Sequence, residues 1–257
     1  MGSALIMDGL QKSYAKLKAV DGLSMRIEAG ESVAFIGPNG AGKSTSMRCI
    51  AGLCVPDAGS VKIAGYDIQK EPVRARAALG YVAQDIELYR YLTGLELLNF
   101  IAQVRGMEQE LAQARIAELL TLCGLEQAKN RLIREYSGGM ARKMAMAAAL
   151  LPPTSLVVLD ESFVGLDPES SYRFRQYLKR YTEDGGAILI SSHILEMLES
   201  LCNRFYFLHH GQCVGDFSLE QLHEKLADAA HPNITALYLH LTGQDLERAN
   251  AGSELGA

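Results

Sequence analysis

The spacing of apolar and polar residues changes period several times along this chain, and each change marks a predicted element. Leu5 to Tyr14 and Leu23 to Ile27 read as short strands with polar interruptions, and "ESVAFIG" (31–37) as a buried strand ending in glycine. "KSTSMRCIAGL" (43–53) switches to helical spacing, with Met47, Ile50 and Leu53 on one face. "GSVKIAG" (59–65) and "LGYVAQ" (79–84) return to strand patterns bounded by glycines. From Asp85 to about Leu151 the pattern is helical. There, Thr93-Gly94-Leu95-Glu96 is a capping box before "LLNFIAQV", and Leu111 to Leu122 is a second amphipathic run. Strand signals resume in "SLVVLD" (155–160), and a helix is predicted from about Pro168 to Tyr181. "AILISS" (187–192) is a further strand, a helix follows from Ile194, and "RFYFLHHGQCVGDF" (204–217) reads as a hairpin around Gly211.

Strands alternating with helices imply a mostly parallel sheet covered on both faces. The helical block interrupts that sheet. The expected organisation is an α/β core at 1–84 and 152–218, a helical subdomain inserted at 85–151, and an extension at 219–257.

Composition narrows the class. The chain has 257 residues, is 48 % hydrophobic and carries a net charge of −5. That balance gives no general pull toward nucleic acid or anionic lipid. Leu219 to Ala257 holds −4 of the −5, so this end is an acidic appendage. Cys49, Cys54, Cys123, Cys202 and Cys213 are scattered without zinc-site spacing and read as reduced thiols. The longest apolar run, "MAMAAALL", stops at Pro152-Pro153, well short of the ~18 residues of a membrane span. The sequence opens without a basic segment and apolar block, so no signal peptide is expected.

The chemistry centres on "GPNGAGKS", which fits G-x-x-x-x-G-K-[ST] in full and lies between a predicted strand and a predicted helix. Gly37, Gly40 and Gly42 let the backbone curl so that its N–H groups converge on phosphate oxygens, with Pro38, Asn39 and Ala41 between them. Lys43 supplies a point charge for the β- and γ-phosphates. Ser44 is placed to ligate Mg²⁺, and Thr45 beside it at the helix start is expected to join Gly37–Ser44 in binding the nucleotide. "SLVVLDE" is the second half. Asp160, at the carboxyl end of an apolar strand, would hold Mg²⁺ through water, and Glu161 would act as general base for water attacking the γ-phosphate. "YSGGM" (136–140) opens another helix, whose Ser137, Gly138 and Gly139 leave backbone N–H groups bare for an anion.

Over about Leu5 to Asp216 the chain resembles the nucleotide-binding subunit of an ABC transporter. "YSGGM" resembles the family signature LSGGQ, with Met140 for glutamine and Tyr136 for leucine. "VGLDP" carries the aspartate of the segment after the catalytic acid, and "SSH" the switch histidine. Ser162 and Phe163 stand where the family has proline and threonine. The resemblance implies a RecA-like P-loop NTPase core, an N-terminal antiparallel β subdomain and the helical insert. It implies that Tyr14 stacks on adenine, that Gln84 senses Mg²⁺ and water, that His193 contacts the γ-phosphate and that Asp167 communicates across a dimer. It also implies that the signature loop meets the ATP of a second protomer, so that ATP closes a homodimer or heterodimer and hydrolysis releases it.

The signature and the ending "ITALYLHLTG" (234–243) resemble the branch exporting drugs, glycoconjugates, haem or peptides through a separate membrane permease. The chain would then sit at the cytoplasmic face of the membrane, held by that permease. The alternative, a soluble ABC ATPase acting on ribosomes or DNA, fits less well: this chain has one cassette and no basic patch. Leu88, Tyr89, Tyr91 and Leu92, next to Gln84, are expected to form part of the groove for a permease helix.

Overall fold

The computed structural model describes residues 2–192, 195–227 and 233–243. The chain begins with strands β1 (Ser3–Tyr14), β2 (Leu17–Glu28) and β3 (Ser32–Ile36), followed by helix α1 (Lys43–Ile50). Next come β4 (Ala58–Ile63), β5 (Tyr66–Asp67), α2 (Pro72–Ala77) and β6 (Leu79–Val82). Three helices follow: α3 (Gly94–Val104), α4 (Gln109–Cys123) and α5 (Gly138–Leu150). The remainder is β7 (Leu156–Asp160), α6 (Pro168–Glu183), β8 (Ala187–Ser191), α7 (Leu195–Leu201), β9 (Arg204–His209), β10 (Gln212–Ser218), α8 (Leu219–Leu226) and α9 (Ile234–Leu241).

The strands form two sheets. One is antiparallel, in the order β2-β1-β4-β5. The other runs β10-β9-β3-β8-β7-β6 and is parallel except for its edge strand β10. This is the α/β P-loop NTPase arrangement expected from sequence, with helices α3–α5 between β6 and β7.

Each face of the parallel sheet feeds a different core, which is why its strands read as unbroken apolar runs. Val33, Phe35, Val158 and Leu189 face the antiparallel sheet and α1. Ala34, Ile36, Val157 and Ile190 face the cluster that includes the α3–α5 helices. In β1 the buried parity shifts from Leu5 and Met7 to Leu10, because the register slips between Met7 and Leu10. That bulge produced the polar interruptions in the sequence pattern and masked one continuous strand of 12 residues.

Local signals set most boundaries. Thr93 and Glu96 form the expected capping box on α3, with Glu96 N–H to Thr93 Oγ1 at 3.1 Å and Thr93 N–H to Glu96 Oε2 at 2.7 Å. Leu53 departs from expectation. Helix α1 ends at Ile50, the chain reverses with Leu53 N–H on the Arg48 carbonyl (2.9 Å), and Leu53 is 62 % exposed. The ending "ITALYLHLTG" is largely helix α9, which buries Ile234 and Leu237 and brings the Tyr238 hydroxyl to His209 Nδ1 at 2.6 Å.

Candidate functional site

The loop Gly37–Gly42 joins the carboxyl end of β3 to α1. Gly42 has φ of +105°, and a Cβ there would collide with the Ala19 carbonyl oxygen, so both conformation and space require glycine. The loop is backed by the β9–β10 turn, where Gly211 N–H donates to the Ala41 carbonyl at 2.9 Å. Lys43 is buried, and its ammonium donates to the carbonyls of Gly37 (2.6 Å) and Pro38 (3.1 Å) of its own loop. Pro38, Asn39 and Gly40 are exposed at the rim, while Ser44 and Thr45 are half-buried at the helix start.

Asp160 ends β7 and is 1 % exposed; its Oδ1 accepts the Ser191 hydroxyl at 2.6 Å. Glu161 follows in a left-handed conformation, φ +49°, also buried. Its N–H lies 3.1 Å from Ser191 Oγ and 3.2 Å from the Ser191 carbonyl. Burial pushes the Lys43 ammonium below the ordinary lysine pKa, while the nearby Glu161 and Asp160 carboxylates pull it upward. The cation of one motif and both acids of the other therefore share one field at the carboxyl ends of the parallel strands.

The donor set suits a hard cation: a hydroxyl at Ser44, a buried carboxylate at Asp160 and the amide of Gln84, which is exposed just beyond β6. Among the described residues no group of three or more His, Cys, Asp or Glu is placed to hold a metal ion.

The remaining sequence-derived residues are placed as follows. Tyr14, 45 % exposed, holds its hydroxyl 3.4 Å from Cys54 Sγ, with Lys12 Nζ 5.7 Å from the ring centroid. Ser137 caps α5, its Oγ accepting the Met140 N–H at 3.2 Å; Ser137 and Gly138 are exposed. Met140 packs partly buried against the core, and Tyr136 donates to the Ala128 carbonyl at 2.9 Å. Both departures from the family signature thus serve packing within the helical block. Phe163 is buried in the same core, so its bulk is absorbed in the turn after Glu161. Asp167 caps α6 through Ser170. His193 lies outside the described residues.

The expected apolar cluster beside Gln84 divides. Leu88 lines a groove of about 510 Å³ together with Leu53, Tyr81, Ile86, Phe100 and Val104. Tyr89 packs edge-on against Phe100 (5.7 Å between centroids). Tyr91 is 80 % exposed beside the Arg134 guanidinium, and Leu92 packs on the core. The segment 88–92 is not helical, so its side chains fan out instead of sharing a face.

Sequence reading missed two supports of the site. Ser191 holds Asp160 and Glu161 because β8 pairs with β7 with Asp160 opposite Ser191, a register that no local signal encodes. Arg142 of α5 reaches the Glu161 carbonyl at 2.8 Å; its only signal was a basic residue three positions after Gly139.

A curled glycine loop between a buried strand and a helix, facing a buried acid at the end of a nearby parallel strand, defines a P-loop nucleoside triphosphatase. Residues 20–164 match the ABC transporter family, and the chain belongs to it as an ATP-binding, ATP-hydrolysing subunit. It is 37 % identical to the linearmycin resistance ATP-binding protein LnrL of Bacillus subtilis (strain 168) over 207 residues, covering 80 % of this chain and 67 % of that one. The solved structure of the ATP-binding subunit of an ABC transporter superposes with a TM-score of 0.87 at 30 % identity, over 93 % of this chain and 99 % of that one. A dimeric post-hydrolysis ATP-binding cassette bound to ADP and Pi superposes with a TM-score of 0.76 at 28 % identity, over 84 % and 98 %.

Proposed function

We propose that this chain binds ATP on the Gly37–Thr45 loop and hydrolyses it within a pair of such subunits, driving export through a separate membrane permease. The observation that carries the reading is the placement of buried Lys43, where the loop after β3 meets α1, with buried Asp160 and Glu161 at the end of β7 in the same parallel sheet. Lys43 leaves the Gly37 and Pro38 carbonyls to meet the β- and γ-phosphates, and the loop N–H groups surround them. Tyr14 stacks on the adenine by face contact. Ser44, Asp160 (through water) and Gln84 hold Mg²⁺. When bound, the magnesium ion neutralises charge building on the phosphates. Glu161 accepts the proton of the attacking water as the bond from the γ-phosphorus to the bridging oxygen breaks, leaving ADP and phosphate. His193 contacts the γ-phosphate.

The exposed Ser137 and Gly138 and the half-buried Gly139, at the start of α5, offer N–H groups to the nucleotide of a second protomer, flanked by Met140. Asp167 carries the state of one site to the other. The dimeric cassette bound to ADP and Pi supports a paired arrangement. The pair is of two such chains or of this chain with a relative.

Among the described residues no helix is long and apolar enough to cross a membrane. The apolar groove beside Gln84 is the docking place for a cytoplasmic helix of the permease, which holds the chain at the cytoplasmic face. The name of a relative 33 % identical over 214 residues, the Nod factor export ATP-binding protein I of Paraburkholderia xenovorans (strain LB400), supports the outward direction.

Replacing Glu161 tests the chemistry. Glu161→Gln retains ATP binding, loses steady-state turnover and accumulates closed dimers; sustained turnover in that variant overturns the general-base assignment.

A further inference from the structure

The side chain of Glu161 can serve as a base only if its main chain is held, and that main chain is in an unusual place. At φ +49° it occupies a left-handed conformation that a glutamate rarely adopts. Two kinds of contact hold it there. Its N–H faces Ser191, on the neighbouring strand of the same sheet. Its carbonyl receives Val164 N–H at 3.3 Å and Arg142 Nη1 at 2.8 Å.

Arg142 belongs to α5, the helix that Ser137 opens. The other terminal nitrogen of the same guanidinium lies 3.5 Å from the Gln84 carbonyl. One planar group therefore spans the ends of β6 and β7, adjacent strands that lead into Gln84 and Glu161. Among the described residues Arg142 has no carboxylate partner; its contacts are main-chain oxygens, which use its fork geometry more than its charge. Neighbours on α5 follow the same segment. A Cβ on Gly139 would sit 3.3 Å from the Gly165 carbonyl oxygen, and Lys143 Nζ lies 3.3 Å from Ser170 Oγ and 3.7 Å from Asp167.

We propose that Arg142 is a positioning residue that sets the main chain of Glu161 and Gln84 from the helix that Ser137 opens. The proposal rests on the reading of Glu161 as general base.

The test uses the full chain with Arg142→Ala and Arg142→Lys. Arg142→Ala is expected to lower kcat for ATP hydrolysis about 10- to 100-fold, the scale of a small misplacement of a reacting group. KM and the affinity for a fluorescent ATP analogue should stay within about twofold. Arg142→Lys, which reaches one carbonyl and not both, should restore part of the rate. A kcat unchanged in Arg142→Ala, or a loss of nucleotide affinity that matches the loss of rate, overturns the proposal. Arg142→Lys no better than Arg142→Ala also counts against it. Glu161→Gln measured alongside separates the two ideas: turnover surviving there refutes the base, whereas an inert Arg142→Ala beside a dead Glu161→Gln refutes only the positioning.

Discussion

The ammonium of Lys43 rests on the carbonyl oxygen of Gly37 at 2.6 Å. The lysine proposed to meet ATP is thus already buried and folded back on its own loop, and on that proposal binding exchanges two carbonyl acceptors for phosphate oxygens. Lys43→Ala should weaken ATP binding by about 10- to 100-fold, the worth of a charged hydrogen bond, in a nucleotide titration. Burial lowers its pKa, so the free protein releases this proton below the ordinary lysine value. ATP affinity should therefore fall on the alkaline side, and Lys43→Ala should flatten that fall.

Asp167 takes the Ser170 hydroxyl at 2.6 Å and the Ser170 N–H at 2.8 Å. These bonds hold its carboxyl at a pKa of about 2. Because the folded value lies below the unfolded one, this contribution is complete above about pH 4 and disappears as pH falls toward 2. Thermal unfolding across that range should show a steeper acid loss for the parent than for Asp167→Asn. At neutral pH Asp167→Ala should cost about 1 kcal/mol as a lost helix cap.

The Tyr136 hydroxyl and Met144 Cε occupy the space a Gly94 side chain would need. Gly94→Ala should destabilise the protein by about 1–3 kcal/mol through overpacking. Tyr136→Phe removes the nearest atom, so the double variant should be more stable than the sum of the single effects indicates. Chemical denaturation of the four proteins gives the coupling; strict additivity would place the strain elsewhere.

Val104 lines the groove beside Gln84 and is 69 % exposed. A charge there leaves the protein core untouched but must be desolvated when an apolar helix docks. Val104→Glu should release the chain from permease-containing membranes in a sedimentation assay while its ATP titration stays that of the parent. Retention on those membranes would remove Val104 from the docking surface.

The sequence by itself determined the elements whose signals are local. Gly37 to Ser44 prescribes a phosphate loop because glycine backbone geometry and one lysine suffice, and Thr93 with Glu96 starts a helix within four residues. The apolar runs of β3, β7 and β8 declared a sheet buried on both faces. Only the tertiary structure decided which parity faces which core, how Ser191 supports Asp160 and Glu161, and that Arg142 grips the Glu161 carbonyl across 19 residues of chain. It also dispersed Leu88 to Leu92, which looked like one patch in sequence. The reason is physical: caps and glycine turns satisfy hydrogen bonds within a few residues, whereas register and side-chain grips are fixed by the packing of strands and helices remote in the chain.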